Sequence, residues 1–272
     1  MSESSTATGG QQQAPGFDTG IPQTARIWNY WLGGKDNFAV DRQVGDQIRE
    51  AFPRIVANAR ASRAFLVRAV RYLAGEAGIR QFLDIGTGLP TADNTHEVAQ
   101  AVAPESRIVY VDNDPLVLVH ARALLTSSPQ GVTDYVDADL RDPDKVLQEA
   151  SRTLDLTRPV ALMLMGILGH ISDDDTARSI VLRLLSGLPS GSYLACYDGS
   201  NTSPEVVEAA RIWNLSANPT YHLRSPEQIA GLFEGLELVE PGVVSVTGWR
   251  PDPTPSDLPA EIEQFCGVGR KP

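Results

Sequence analysis

The sequence predicts an α/β fold: a mostly parallel sheet covered by helices on both faces, with an antiparallel strand at one edge. Two observations carry this. Short apolar runs recur at 81–85, 107–111, 132–136, 160–165, 192–197 and 236–239, with helical stretches between them. A strand that returns through a helix lies parallel to the one it left. The last run, Ile262–Val268, instead follows Leu236–Val246 through a proline-rich loop without a helix. A return of that kind gives an antiparallel pair.

Residues 1–20 are rich in Ser, Thr, Gly and Gln, without a basic stretch leading into an apolar one. They are expected to form a disordered tail rather than an export signal, which points to the cytoplasm. Residues 21–79 read as an N-terminal helical arm. It opens on Trp28, Tyr30 and Trp31, followed by Gly33-Gly34. Helices are expected over Val40–Ala51 and Arg54–Leu73, the second with an apolar stripe through Ile55, Ala59, Phe65, Leu66, Val70 and Leu73. Its arginines, Arg60, Arg63, Arg68 and Arg71, are read as a solvated face. Residues 80–272 form the main domain, one compact unit with the arm.

Helix starts within that domain share one device. Asp114-Pro115, Asp142-Pro143, Ser203-Pro204 and Ser225-Pro226 each place a capping side chain before a proline at the first helical position. The run Asp173-Asp174-Asp175 is read as a helix start, where negative charge is welcome, rather than as a metal site.

Bulk properties exclude several classes. With 42% hydrophobic and 21% charged residues, the 272-residue chain is of ordinary globular composition. No apolar run approaches the roughly 18–20 residues that a membrane helix needs. A net charge of −11 repels polyanions, so nucleic acid is not an expected partner. Cys196 and Cys266 are expected as buried free thiols, and no Cys or His spacing suits zinc, so no metal is assigned.

The chemistry centres on Gln81-Phe82-Leu83-Asp84-Ile85-Gly86-Thr87-Gly88-Leu89-Pro90. A buried strand ends in an acid, and a Gly-x-Gly turn leads toward a helix expected near Pro90 or Thr91. Glycines allow the sharp turn and the close approach of a ligand. A dinucleotide would place its pyrophosphate on free backbone N–H groups at that helix start. Here Pro90 holds the position of the third glycine and has no N–H, while Asp84 would set a carboxylate beside the phosphates. A cationic ligand without phosphate suits the turn better, and S-adenosyl-L-methionine is one.

Asp112 closes the next strand 24 residues beyond Gly88, the interval at which an acid reaches ribose hydroxyls. It is assigned the ribose, with Asn113 beside it; Asp114 is left as the cap of the following helix. Asp139-Leu140, after the third strand, is assigned to the adenine amino group and ring.

The order Asp84-Ile85-Gly86-Thr87-Gly88, Asp112, Asp139-Leu140 resembles the class I S-adenosylmethionine methyltransferases. More narrowly, the block Ala25-Arg26-Ile27-Trp28-Asn29-Tyr30-Trp31-Leu32-Gly33-Gly34-Lys35-Asp36-Asn37-Phe38 resembles an actinobacterial methyltransferase family long carried as a domain of unknown function. Phe82–Thr91, Val109–Pro115 and Glu234–Gly242 are similar to that family too. The resemblance implies a Rossmann-like, seven-stranded sheet with the cofactor above the C-terminal strand ends. It also implies cofactor contacts from Met165 and Gly166 at the end of the fourth strand.

The N-terminal block is expected to fold over the cofactor, with Tyr30 near the sulfonium or adenine and Lys35 near the carboxylate. His170 is the candidate general base, its ordinary pKa lying near working pH. Tyr197, Asp198, Trp213 and Asn214 are candidates for the acceptor pocket. The leading function is methyl transfer to a small-molecule acceptor. A non-catalytic S-adenosylmethionine binder and an NAD-type oxidoreductase are the alternatives.

Overall fold

The computed structural model describes residues 19–124, 126–253 and 257–272. Most of the expected tail lies outside the described residues. Three helices precede the sheet: α1 (Thr24–Trp31), α2 (Ala39–Ala51) and α3 (Ile55–Arg71), the last extended by a wide turn over Tyr72–Glu76. Strands and helices then alternate: β1 (Gln81–Ile85), α4 (Thr95–Val102), β2 (Arg107–Asp112), α5 (Pro115–Leu124), β3 (Val132–Asp137), α6 (Pro143–Ala150), β4 (Ala161–Met165), α7 (Asp174–Ser186), β5 (Tyr193–Gly199), α8 (Pro204–Ser216) and α9 (Pro226–Gly231). Three strands close the chain without a helix between them: β6 (Glu237–Leu238), β7 (Val244–Ser245) and β8 (Gln264–Arg270).

The sheet runs β3-β2-β1-β4-β5-β8-β6, with β7 also paired to β8. The first five strands are parallel; β8 runs antiparallel to β5 and to both short strands beyond it. The edge read as one run from Leu236 to Val246 is thus two pieces. Pro241 offers no N–H to the ladder, and Gly242 takes a φ of +86°, so the chain leaves the sheet between them.

Both faces of the parallel strands are covered, and the alternation along each strand sorts its side chains. Leu83, Ile85, Leu162 and Leu164 face the layer of α6 and α7, where Val146, Ala177, Val181 and Leu184 meet them. Phe82, Ala161 and Met163 face the other way, against Phe65, Leu66 and Val70 of α3. Each fully buried Leu contributes roughly 1.5–3 kcal/mol by leaving water. A third apolar cluster joins α1 and α2 to α8 through Ile27, Trp31, Ile48, Ala209 and Trp213.

The four proline-marked helices start where expected, at Pro115, Pro143, Pro204 and Pro226. Asp173 caps α7, its Oδ2 accepting from the Thr176 amide at 2.7 Å, so this acid run serves a helix start. One start differs. The helix expected near Pro90 opens at Thr95, because Glu97 reaches back to the Asn94 amide at 2.7 Å and sets the cap there. Residues 89–94 therefore remain loop. No helix of the described residues is long and apolar enough to cross a membrane.

Candidate active site

Strand order reverses between β1 and β4, whose remaining neighbours lie on opposite sides. Loops leaving two such strands part from one another and open a crevice at the C-terminal strand ends. Those loops line a cavity of about 190 Å³, which α1 and α3 wall from the other side.

Asp84 is buried at its floor, Oδ2 accepting from the Thr95 hydroxyl at 2.6 Å. Burial pushes its pKa up to about 6; the Thr95 bond and the nearby Arg63 charge oppose that rise. Gly86 and Gly88 both take positive φ, +74° and +65°. A Cβ on Gly86 would sit 2.5 Å from the Ile167 side chain, whereas one on Gly88 would meet only Ala25, at 4.0 Å. Gly86 thus lets the two loops pack together, and Gly88 leaves a bare stretch of backbone on the cavity. Thr87 lines it as well.

Asp112 reaches the same cavity from β2. Its Oδ2 accepts from the Gly88 amide at 3.0 Å and its Oδ1 from the Asp114 amide at 2.9 Å. Burial raises this carboxyl also to about 6, against the pull of those two amides. Asp114 spends its own Oδ1 on the Leu116 amide at 2.8 Å, as a cap of α5 should. Asn113 lines the cavity and donates to Asp139 Oδ2 at 3.0 Å. Asp139 is thus bonded to a residue of the cavity wall, and Leu140 is packed into the core with Val136 and Ala138. Neither is among the residues that line the cavity, where an adenine contact was expected. Both belong to the turn that Asp139 ties by accepting from the Arg141 amide.

Met165, Gly166 and His170 border the cavity from the β4 side. His170 ends a short 3₁₀ turn, Leu168–His170. Its Nδ1 lies 2.8 Å from the Thr220 carbonyl, which can only accept. The hydrogen of the neutral ring is therefore on Nδ1, and Nε2 keeps its lone pair. Burial pulls its pKa below 6.5.

The N-terminal segment meets the cavity by a face other than the expected one. Thr24, Ala25, Trp28, Asn29 and Leu32 line it, the spacing of one side of a helix. Tyr30 lies on the flank of α1 that faces α2, donating its hydroxyl to Asp46 Oδ1 at 2.8 Å. Lys35 is exposed and off the cavity, in a turn held by Asn29, whose Oδ1 accepts from the Asp36 amide and the Asn37 side chain.

Among the acceptor-pocket candidates, Tyr197 lines the cavity, with its ring 3.0 Å from where a Gly166 Cβ would stand. Asp198 does not; it is fully buried and paired with Arg224 Nη1 at 3.0 Å. Trp213 donates to the Pro219 carbonyl at 2.9 Å, and Asn214 brackets the Tyr221 backbone with both ends of its amide. Ser62, Arg63 and Leu66 of α3 complete the wall. Arg63 is no solvated bystander: its Nη2 donates to the Ala92 and Asp93 carbonyls, at 2.9 and 2.8 Å. Arg68 likewise leaves solvent, donating to the Trp249 and Val246 carbonyls. Only the i, i+1, i+4 spacing of Ser62, Arg63 and Leu66 hints at this face in the sequence.

The sequence profile of the S-adenosyl methyltransferase family matches residues 10–272. The chain belongs to that family. A DUF574 family protein from Streptomyces avermitilis MA-4680 is 49% identical in its crystal structure, which covers 94% of this chain and 99% of its own, with a TM-score of 0.90. A candidate methyltransferase from Thermobifida fusca YX is 44% identical over 94% of this chain and 97% of its own, with a TM-score of 0.87. At 10% identity, the magnesium protoporphyrin IX methyltransferase of Synechocystis PCC 6803, with bound S-adenosylhomocysteine, shares the fold at a TM-score of 0.51, over 90% of this chain and 93% of its own. No functionally curated protein matches the chain. This S-adenosyl methyltransferase is an S-adenosyl-L-methionine-dependent enzyme, and the dinucleotide alternative falls away.

Proposed function

We propose that the cofactor seats in the cavity between the β1 and β4 loops and that a small-molecule acceptor is methylated beside His170. The observation that carries this is His170 itself: an imidazole on the cavity wall, fixed through Nδ1, with Nε2 left to take a proton. The residues around it suit S-adenosyl-L-methionine. Asp84 and Asp112 bring negative charge, Gly88 a bare backbone without a Cβ in the way, and Pro90 no N–H for a phosphate. When bound, the cofactor supplies a methyl group on a cationic sulfur.

The chain's own residues would do the rest. Asp112, with both oxygens already oriented by backbone amides, would accept from ribose hydroxyls. Asn113 and, through it, Asp139 would border the base. Arg63 would meet a carboxylate. α1 would exclude water, so that residues 21–79 and 80–272 work as one unit, with Trp28 and Asn29 in the role expected of Tyr30 and Lys35. His170 would hold the proton that an acceptor hydroxyl or amine gives up. A small acceptor suits a crevice walled by α1 and a chain of net charge −11.

The test is formation of S-adenosylhomocysteine with a panel of amines, phenols and carboxylic acids. Turnover with a panel member, lost in His170→Ala, is expected. Methylation of protein or nucleic acid alone would sink the small-molecule reading.

A further inference from the structure

A second cavity, of about 70 Å³, lies between α1, α2, α3 and α8 at the ends of β5 and β8. It adjoins the first. Trp28 lines both, and Tyr221, whose ring meets that of His170 edge-on at 5.2 Å between centroids, lines the second. Its walls are aromatic, from Trp28, Trp31, Phe52 and Trp213.

Three polar residues are among those lining it: Asn58, Glu263 and Gln264, only 2%, 6% and 5% exposed. The Asn58 Nδ2 is turned to Glu263 Oε2 at 3.4 Å, which leaves Oδ1 as its other end. That Oδ1 and Gln264 Oε1 are buried without a hydrogen-bond partner among the described residues. Buried amide oxygens are rarely left in this state. Both orphans are acceptors, and they stand beside a carboxylate that Arg54 pairs from the outside. What is missing is therefore a donor. Aromatic faces favour that donor being a cation.

We propose that this chamber binds the methyl acceptor, a compact aromatic compound anchored by an ammonium group, and that a different atom of it, a hydroxyl or second amine at the end toward Tyr221 and His170, takes the methyl group and gives its proton to His170. Its ammonium end goes to Asn58, Glu263 and Gln264, and its ring lies among Trp28, Trp31 and Trp213. The volume holds roughly five to seven water-sized positions, the bulk of one ring with a short arm. The identity of this ligand as acceptor rests on the reading of the neighbouring cavity given above.

The experiment is saturation-transfer NMR on the full chain, with benzylamine and benzoate as probes and S-adenosylhomocysteine binding measured in parallel by calorimetry. Benzylamine should bind saturably and benzoate should not. Asn58→Leu should weaken benzylamine tenfold or more. Because Asn58 is buried, Ala210→Trp provides a second variant: it adds bulk to the chamber wall while removing no polar partner. It should abolish benzylamine binding and leave that of S-adenosylhomocysteine within twofold. Equal binding of benzoate, or benzylamine binding that ignores Ala210→Trp, would overturn the chamber. Failure of the neighbouring site shows elsewhere, as a His170→Ala protein with full turnover, and leaves the benzylamine result standing.

Discussion

The imidazole Nδ1 of His170 donates to the Thr220 carbonyl at 2.8 Å, so one residue after β4 and one after α8 together leave Nε2 with its lone pair on a ring that lines the cavity. If that nitrogen removes the acceptor's proton, His170→Ala lowers kcat by about 10²–10⁴-fold. The affinity for S-adenosylhomocysteine should change only a few-fold. The base must be neutral, so kcat rises with pH, with its inflection below 6.5 because burial favours the uncharged ring. Steady-state rates between pH 5 and 8 test both statements; a flat profile excludes the role.

Asp84 ties the site to stability. Its carboxyl titrates near 3.8 in the unfolded chain and at about 6 in the native one. Between those values the native state holds a proton the unfolded state has lost, so stability falls as pH rises through that window and stays low above it. Asp84→Asn removes the buried charge and keeps an acceptor for the Thr95 hydroxyl. It should stabilise the cofactor-free chain by roughly 1–3 kcal/mol at pH 7.5 and by little at pH 4. Urea denaturation at the two values measures the difference, and weaker cofactor binding is the expected counterpart.

Two glycines in one turn should respond differently. Gly86→Ala drives a Cβ to 2.5 Å from Ile167 besides straining a positive φ, and should cost several kcal/mol of stability. Gly88→Ala has only the φ strain, about 1 kcal/mol. It should fold and yet lose affinity for S-adenosylhomocysteine tenfold or more, because its new methyl group stands on the cavity. Melting temperatures and calorimetric titration separate the two; similar thermal losses would contradict this division.

Arg224 should behave as a structural cation. It pairs with buried Asp198 and with Asp174, and donates to the Leu168 and Ile171 carbonyls. Arg224→Met strips the buried Asp198 of its cation, at a cost of roughly 3–5 kcal/mol. Adding Asp198→Asn should recover part of that loss. A double-mutant cycle in denaturant reads the coupling, and strict additivity would rule it out.

Much of the fold was legible because the signal is local. Phe82-Leu83-Asp84-Ile85 before Gly86 is a strand by composition and a ligand turn by its glycines, and the Ser-Pro and Asp-Pro starts mark helices within one turn. The face of α1 was not legible. Ile27 and Trp31 pack on α2 and α8 while Trp28 and Leu32 border the cavity, so both sides of the helix are apolar and periodicity cannot choose between them. The expected place of Tyr30 falls within that ambiguity, and Lys35 lies beyond the helix, in the turn that Asn29 holds. Arg63 escaped because an arginine that donates to carbonyls looks, in sequence, like one that faces water. Arg54–Glu263 and Asp198–Arg224 join positions far apart in the chain, where no spacing rule reaches.

The Arg224 cluster also bears on how this enzyme could change its diet. One guanidinium fastens the turn after β4, the end of β5 and the entry to α7, without using any side chain of α1 or α2. The foundation and the selective wall are thus separately adjustable. If the chamber admits the acceptor as proposed, substitutions at Trp28, Asn58 or Ala210 should reshape what is admitted while the strand ends stay clamped, which makes those positions natural targets for redesign.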